Sequence, residues 1–394
     1  MGNQQNKSYM NEDVDLTHFK LLRSIGRGSF GKVRIIEHKI TKAKLALKYF
    51  SKEDLIKRKM SKNIIRERNM LEGLSHPFVC NLRYAFQDDY NLYMALDLML
   101  GGDLRFHLHR RKFSEDELIF LAAEISSAIG YLHSKNIIHR DIKPDNILLD
   151  EKGHAHLTDF NIAAYIQPNH LLKSHSGTAQ YMAPEMVGDQ GYSYGVDWWS
   201  LGITFYEGIY GKTPFYDSIK RTRKKECILE QHIDFNVHTV LELSPLFFEF
   251  VQKLLNKNPN QRLGSGKTGF FSIQRLPLFN GIEWDLLEKK MLRPPFCPSS
   301  EKHNFDMTYD LEELLLEDYP LESLPSKRSK DPKKMSVDML YLENYYKSYD
   351  YYEGPKLRRY SDEQLNKPEM KESPNISKTT VVEADGLGFN GFGY

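Results

Sequence analysis

The sequence predicts an α+β fold of two lobes, a small β-rich one followed by a larger helical one. Three observations predict it. Short apolar, β-prone runs crowd the stretch from Phe19 to Leu98. Long amphipathic segments dominate from Asp116 onward. Regular patterning then ends near Trp284. A segregated β part and helical part make two packed layers rather than an alternating β/α sheet.

Taken in order, residues 1–18 are polar and read as a loose N-terminus. Strands are expected at Phe19–Ile25, Val33–His38 and Lys44–Phe50, and a charged helical stretch at Ile56–Gly73. Two further strands are expected at Val79–Gln87 and Asn91–Leu98. The amphipathic stretches Glu117–Ser134, Tyr194–Gly208 and Pro245–Leu255 read as helices. Residues 325–385, rich in Lys, Ser, Pro and Tyr, read as a flexible linker. No fixed-period repeat is present.

Composition narrows the classes. With 394 residues, 40% hydrophobic and 27% charged, the chain has room for a two-lobed domain with extensions. A net charge of +1 gives no bulk field toward nucleic acid or membrane. Cys80, Cys227 and Cys297 are odd in number and far apart, which fits a reducing compartment better than a disulfide framework or a zinc site. No apolar run approaches the roughly 20 residues of a membrane span, and no secretory leader is evident. A cytoplasmic monomer is the expectation.

The first chemical motif is Gly26-Arg27-Gly28-Ser29-Phe30-Gly31-Lys32-Val33. Glycines let backbone N–H groups approach phosphate oxygens with no Cβ between. Dinucleotide folds share the spacing, but here the flanks read as a hairpin rather than a strand and a helix. A lysine, Lys48, follows Val33 by 15 residues in Ala46-Leu47-Lys48, where a strand would hold its charge against nucleotide phosphates. Glu67 lies 19 residues further on in a charged helical stretch; spacing alone favours a solvated glutamate, and it is the other motifs together that make it the partner of that lysine. A second glycine-rich run, Gly264-Ser265-Gly266-Lys267-Thr268, imitates a P-loop. It has Gln261 where that motif needs glycine.

The most specific segment is His139-Arg140-Asp141-Ile142-Lys143-Pro144-Asp145-Asn146. Phosphoryl transfer needs alignment and charge compensation more than covalent help. Asp141 can accept a hydroxyl proton, Lys143 can neutralise a γ-phosphate, and Asn146 can offer magnesium an oxygen. Asp159, in Thr158-Asp159-Phe160-Asn161, supplies a second magnesium ligand. This segment resembles a protein-kinase motif that has glycine where Asn161 stands. Asn tolerates φ > 0, so a working but stiffer loop is expected.

These motifs resemble those of protein kinases. Residues 19–310 are similar to the AGC group of serine/threonine kinases. Within it, Thr158–Ala164, Tyr181–Met186 and Leu100–Leu104 most resemble the YANK family, serine/threonine kinase 32. The resemblance implies a protein-kinase-like fold with an N-lobe at 19–98, a C-lobe at 99–282 and an AGC-type tail at 283–324. It implies ATP and Mg2+, with Mn2+ as an alternative ion, and protein substrates with Ser or Thr acceptors. The nucleotide would lie among Ile25, Gly26, Gly28, Ser29, Phe30, Gly31, Val33, Ala46, Lys48, Leu96, Asp97, Met99 and Asp103.

The same resemblance implies an activation segment in which Ser174 takes phosphate beside Arg140, and Thr178 binds Asp141 and Lys143. It implies that Asp197 anchors the catalytic loop and that Glu185 pairs with Arg262. Asp103, Asp145 and Glu207 match positions that hold upstream substrate arginines, so basic sequence contexts are expected. Residues 386–394, ending Phe389-Asn390-Gly391-Phe392-Gly393-Tyr394, fit an aromatic motif docking beside the Glu67 helix. Arg358-Arg359-Tyr360-Ser361 resembles a basic phosphorylation target. Met1-Gly2-Asn3 partly fits N-myristoylation, which by itself gives weak, reversible membrane association. Two rival classes are a nucleotide-binding scaffold without turnover, suggested by Asn161, and a dinucleotide oxidoreductase, for which a βαβ unit is wanting.

Overall fold

The computed structural model describes residues 14–27, 31–167, 170–215, 221–235, 243–299, 304, 335–352 and 371–372. Five antiparallel strands open the chain: β1 Phe19–Arg27, β2 Lys32–His38, β3 Lys44–Ser51, β4 Leu82–Gln87 and β5 Asn91–Asp97. They pair in the order β1-β2-β3-β5-β4. The period of two in β3 decides what each face carries. Leu45, Leu47 and Tyr49 are buried with Phe19, Ile36, Phe86 and Tyr93 on one face. Ala46 and Lys48 therefore point to the other.

Between β3 and β4 lie two helices, α1 Lys52–Lys57 and α2 Ser61–Glu72. The charged stretch expected as one helix is broken because Lys59 turns left-handed, at φ 57°. A helix cannot continue through that conformation. Ser51 caps α1 through a hydrogen bond from the Asp54 amide. The strand expected from Val79 begins at Leu82, and Val79 makes a single bridge to Leu157 instead.

The helical part is built on α3 Leu104–Arg110, α4 Glu115–Ser134, α5 Pro184–Val187, α6 Gly195–Tyr210, α7 Arg221–Glu230 and α8 Pro245–Leu254. Ser114 and Glu117 form a reciprocal capping box that starts α4. α6 ends at Gly211, whose φ of 70° a residue with a side chain would resist. Trp198 and Trp199 of α6 are fully buried and centre the core. Residues 255–269 run in turns, with Gly264 packed on the Trp198 ring, so the P-loop imitation is a structural turn. Among the described residues no helix is long and apolar enough to cross a membrane.

One segment departs from expectation. Residues 335–352 fall within the stretch read as flexible linker, yet they form the helix Val337–Tyr345 and the strand Tyr349–Asp350. That strand adds a sixth member to the sheet beside β4, with Tyr349 opposite Ala85 and Asp350 opposite Tyr84. Tyr346 and Leu342 are buried there, which supplies apolar contact that a linker lacks. This segment packs against α2, the helix beside which residues 386–394 are expected to dock. Those residues, like Gly2, Ser361 and most of the 325–385 stretch, lie outside the described residues.

Candidate active site

The β2–β3 pairing sets Val33 opposite Lys48, and the β3–β5 pairing sets Ala46 opposite Leu96. Paired residues share a face, so Val33, Ala46, Lys48 and Leu96 line one side of the sheet. Each is half-buried, as are Ile25 and Met99. Gly26 pairs with Val33 and has open space where a Cβ would project. At Gly31 a Cβ would come within 2.6 Å of the Tyr49 carbonyl, so the hairpin requires glycine there. Gly28, Ser29 and Phe30 lie outside the described residues.

Lys48 Nζ is held between two carboxylates, 2.9 Å from Glu67 Oε1 and 3.0 Å from Asp159 Oδ1. Burial alone would lower its pKa, but Asp159 and Glu67 raise it well above the ordinary lysine value. One cation serves two acids, so burial, with Asp159 at hand, keeps Glu67 above the usual carboxylate range despite Lys48. Glu67 is buried in α2 on the same side as Ile64, Met70 and Leu71.

Between β6 Ile137–Ile138 and β7 Ile147–Leu149 runs the catalytic-loop candidate. Asp197, buried in α6, accepts hydrogen bonds from the amides of His139 at 2.9 Å and Arg140 at 2.8 Å. Arg140 has a φ of 69°, and this double anchor holds the turn. Asp141 Oδ1 accepts from the Thr178 amide at 2.9 Å and hydroxyl at 2.7 Å, while Lys143 Nζ lies 2.8 Å from Asp141 Oδ2. Lys143 also donates to the Thr178 hydroxyl at 2.8 Å. Burial would raise the Asp141 pKa, but hydrogen bonds from Lys143 and Thr178 hold it below the ordinary value. The group is a carboxylate at neutral pH, as a proton acceptor must be.

Asn146 donates through Nδ2 to the Asp141 carbonyl at 2.8 Å and to Asp141 Oδ2 at 3.0 Å. Its amide oxygen is thereby left for another partner. Asp159 sits at φ 64°, past β8 Ala155–Leu157, and Phe160 is buried against His139 at 4.9 Å between ring centroids. Asn146 and Asp159 are oxygen donors, the kind magnesium requires, and Lys48 offers charge to phosphate. The residues therefore fit a magnesium nucleotide.

Asn161 corrects one expectation. The left-handed residue of this turn is Asp159, and Asn161 is not among the residues with positive φ. Its side chain instead lies 3.4 Å from Asp159 Oδ2, and its carbonyl accepts from Arg66. Asn is accommodated here without needing glycine's freedom. Asp97 likewise differs from a simple nucleotide contact: its carboxylate is taken up by Arg83 Nε at 2.5 Å and Asn81 Nδ2 at 3.0 Å. Asp103 caps α3 by accepting from the Phe106 amide at 2.7 Å, and burial raises its pKa.

Ser174 Oγ accepts from Arg140 Nη1 at 2.6 Å, beside the Tyr192 hydroxyl. Glu185 of α5 and Arg262 form a buried two-pronged pair at 2.6 and 2.9 Å. Asp145 and Glu207 are both bound to Arg105. Arg105 is a residue that motif reading passed over. Its only sequence cue is a basic residue two places after Asp103, beside an acidic set. Lys52 and Tyr346 were also missed, and no local cue reveals them, since Glu343, which pairs with Lys52, and Tyr93, which binds the Tyr346 hydroxyl, lie more than 250 residues from them in sequence.

This arrangement matches what comparison finds. The protein kinase domain model matches residues 19–271. Human serine/threonine-protein kinase 32B is 42% identical over 339 residues, covering 84% of this chain and 80% of its own. Human serine/threonine-protein kinase 32C is 41% identical over 326 residues, covering 81% of this chain and 66% of its own. Human serine/threonine-protein kinase Sgk2 is 42% identical over 292 residues, covering 73% and 78%. The chain belongs to the protein kinase family, as a serine/threonine kinase of the AGC group. Within that group it resembles the kinase 32 proteins.

Proposed function

We propose that the chain transfers the γ-phosphoryl group of MgATP to serine or threonine hydroxyls of proteins, with the chemistry centred on Asp141. The observation that carries this reading is the convergence of Asp141, Lys143 and Thr178 at 2.7–2.8 Å, next to Asn146. Bound MgATP supplies the phosphoryl group and the metal charge that neutralises it. Asp141, fixed by Thr178, receives the acceptor hydroxyl's proton and aims its oxygen. Lys143 compensates charge next to it. Lys48, pinned by Glu67, orients the phosphates, and Asn146 and Asp159 hold magnesium, or manganese in its place. A complete set of this kind supports turnover over a mere nucleotide-binding scaffold. A radiolabelled-ATP transfer assay on a Ser/Thr peptide pool tests it. Activity in the wild type and a loss of about 10³-fold in Asp141→Asn is expected; equal activity in the two would remove the reading.

Three finer statements go with it. Basic residues before the acceptor are favoured, because the three acids Asp103, Asp145 and Glu207 outnumber Arg105, the guanidinium set among them. Positional peptide libraries showing no basic preference anywhere would refute this. Phosphate on Ser174 strengthens the Arg140 contact and orders the activation segment, which phosphosite mapping and a Ser174→Ala comparison test. The chain acts as a monomer in the cytoplasm, with acylation at Gly2 giving reversible membrane contact; intact mass of protein from eukaryotic cells decides the acyl group.

A further inference from the structure

Arg105 is the second residue of α3 and draws together three other parts of the chain. Its Nη2 lies 3.1 Å from Asp145 Oδ2 in the catalytic-loop turn, with Nε at 3.4 Å from the same oxygen. Its Nη1 donates to Glu207 of α6. Nη2 also donates to the Tyr181 hydroxyl, which in turn donates to Glu207. Burial would lower the Arg105 pKa, but Glu207, Tyr181 and Asp145 hold it above the ordinary value, so the guanidinium stays charged.

Two carboxylates from different elements facing one planar fork are what a protein uses to seize a partner's arginine. Here the fork comes from the same chain. Asp145 and Glu207 contribute two negative charges, and Arg105 cancels one of them. A substrate guanidinium entering this seat would have to displace Arg105 and leave its charge without Asp145, Glu207 and Tyr181. The seat is reachable from its Asp145 side: the Asp145 side chain is 49% exposed and that of Arg105 21%, with Glu207 deeper at 13%. The bland alternative is a clasp that only ties α3 to α6. Such a clasp would affect melting temperature but not which peptides are chosen.

We propose that Arg105 is a specificity-determining residue, an internal guanidinium that fills the acidic seat of Asp145 and Glu207 and so excludes substrate arginine from it. The inference rests on the phosphotransfer reading above. It narrows the general basic preference: arginine is selected against at the one substrate position this seat serves, whatever is favoured elsewhere.

The test uses the full-length chain with MgATP and positional peptide libraries around a fixed serine. Wild type, Arg105→Ala, Arg105→Leu and Arg105→Ala/Glu207→Gln are compared. The leucine variant fills the volume without charge, so the comparison survives if the alanine variant melts early. The expected result is that both single variants gain about tenfold in kcat/KM for arginine at one upstream position. The gain lies in KM, and adding Glu207→Gln removes it. Wild type already selecting arginine at a Glu207-dependent position would overturn the proposal. So would folded single variants whose peptide profiles match wild type. If no protein transfers phosphate to any peptide, the phosphotransfer reading itself fails and takes the inference with it.

Discussion

The ammonium of Lys52 lies 2.5 Å from a carboxylate oxygen of Glu343, across 291 residues of sequence, and the lysine side chain has no exposed surface. Lys52 opens α1, and Glu343 belongs to the helix Val337–Tyr345 packed against α1 and α2. The Lys52 ammonium also donates to the Asp88 carbonyl at 2.6 Å. A buried cation that loses its acid keeps the desolvation cost without the attraction. Glu343→Ala should therefore destabilise the protein by about 3 kcal/mol, read by urea melts. The double variant Lys52→Met/Glu343→Leu should recover most of that loss. Equal destabilisation in both would mean that charge burial is not what matters here.

Tyr346 is the anchor of the same segment. Its ring is buried, its hydroxyl donates to the Tyr93 carbonyl at 2.8 Å, and its own carbonyl accepts from Gln87 at 2.8 Å. Two residues on, the Ser348 carbonyl accepts from Arg68, the neighbour of Glu67 in α2. Releasing the segment thus loosens the helix that holds Glu67 against Lys48. Tyr346→Ala should lower kcat roughly tenfold, about 1.4 kcal/mol in the barrier. Tyr346→Phe, missing one hydrogen bond of about 1 kcal/mol, should stay near wild type. Steady-state kinetics beside thermal melts separate the two; full activity in the alanine variant would show that the docked segment does not support Glu67.

Asn161 offers a test of backbone demand. Its ordinary φ and its contact with Asp159 mean that glycine gains nothing at this position. Asn161→Gly should destabilise by roughly 0.5–1 kcal/mol through chain entropy, with transfer activity lowered severalfold as Asp159 becomes less constrained. A more active and more stable variant would show instead that Asn161 strains the turn.

How far the sequence carries depends on the range of the interaction. Lys48, Glu67, Asp141, Asn146 and Asp159 were legible because each sits in a short pattern whose chemistry dictates residue type and spacing. The alternation of Leu45, Leu47 and Tyr49 against Ala46 and Lys48 told which face the lysine takes. The break at Lys59 was hidden, since a left-handed lysine has no composition cue. Residues 335–352 read as linker because their polar and tyrosine-rich composition looks solvated until β4 and α2 provide a surface. Arg105 was obscured for another reason: the acids it binds were read as open to substrate, and only three-dimensional proximity reveals them as occupied.

His76 makes the fold acid-sensitive. Its Nδ1 accepts from the Phe78 amide at 3.2 Å, its ring stacks on Tyr131 at 4.7 Å, and its Nε2 lies 3.4 Å from the Ser127 hydroxyl. A proton on Nδ1 would break the first bond. Burial, with Lys290 nearby, pushes the pKa down to about 3, whereas an unfolded histidine titrates near ~6.5. Between these values the unfolded chain binds a proton that the folded chain refuses, so stability rises with pH. The penalty is absent well above pH 6.5 and grows as pH falls toward 3. Moving from pH 7.5 to 5.5 should cost wild type about 1 kcal/mol through this group, roughly 2 °C in Tm. In His76→Asn, whose side-chain oxygen can still accept from Phe78, that portion should vanish. His107 and His156 are also pushed down by burial and are present in both proteins, so the difference in Tm slope isolates His76. Identical slopes would mean that His76 is protonated in the fold without loss.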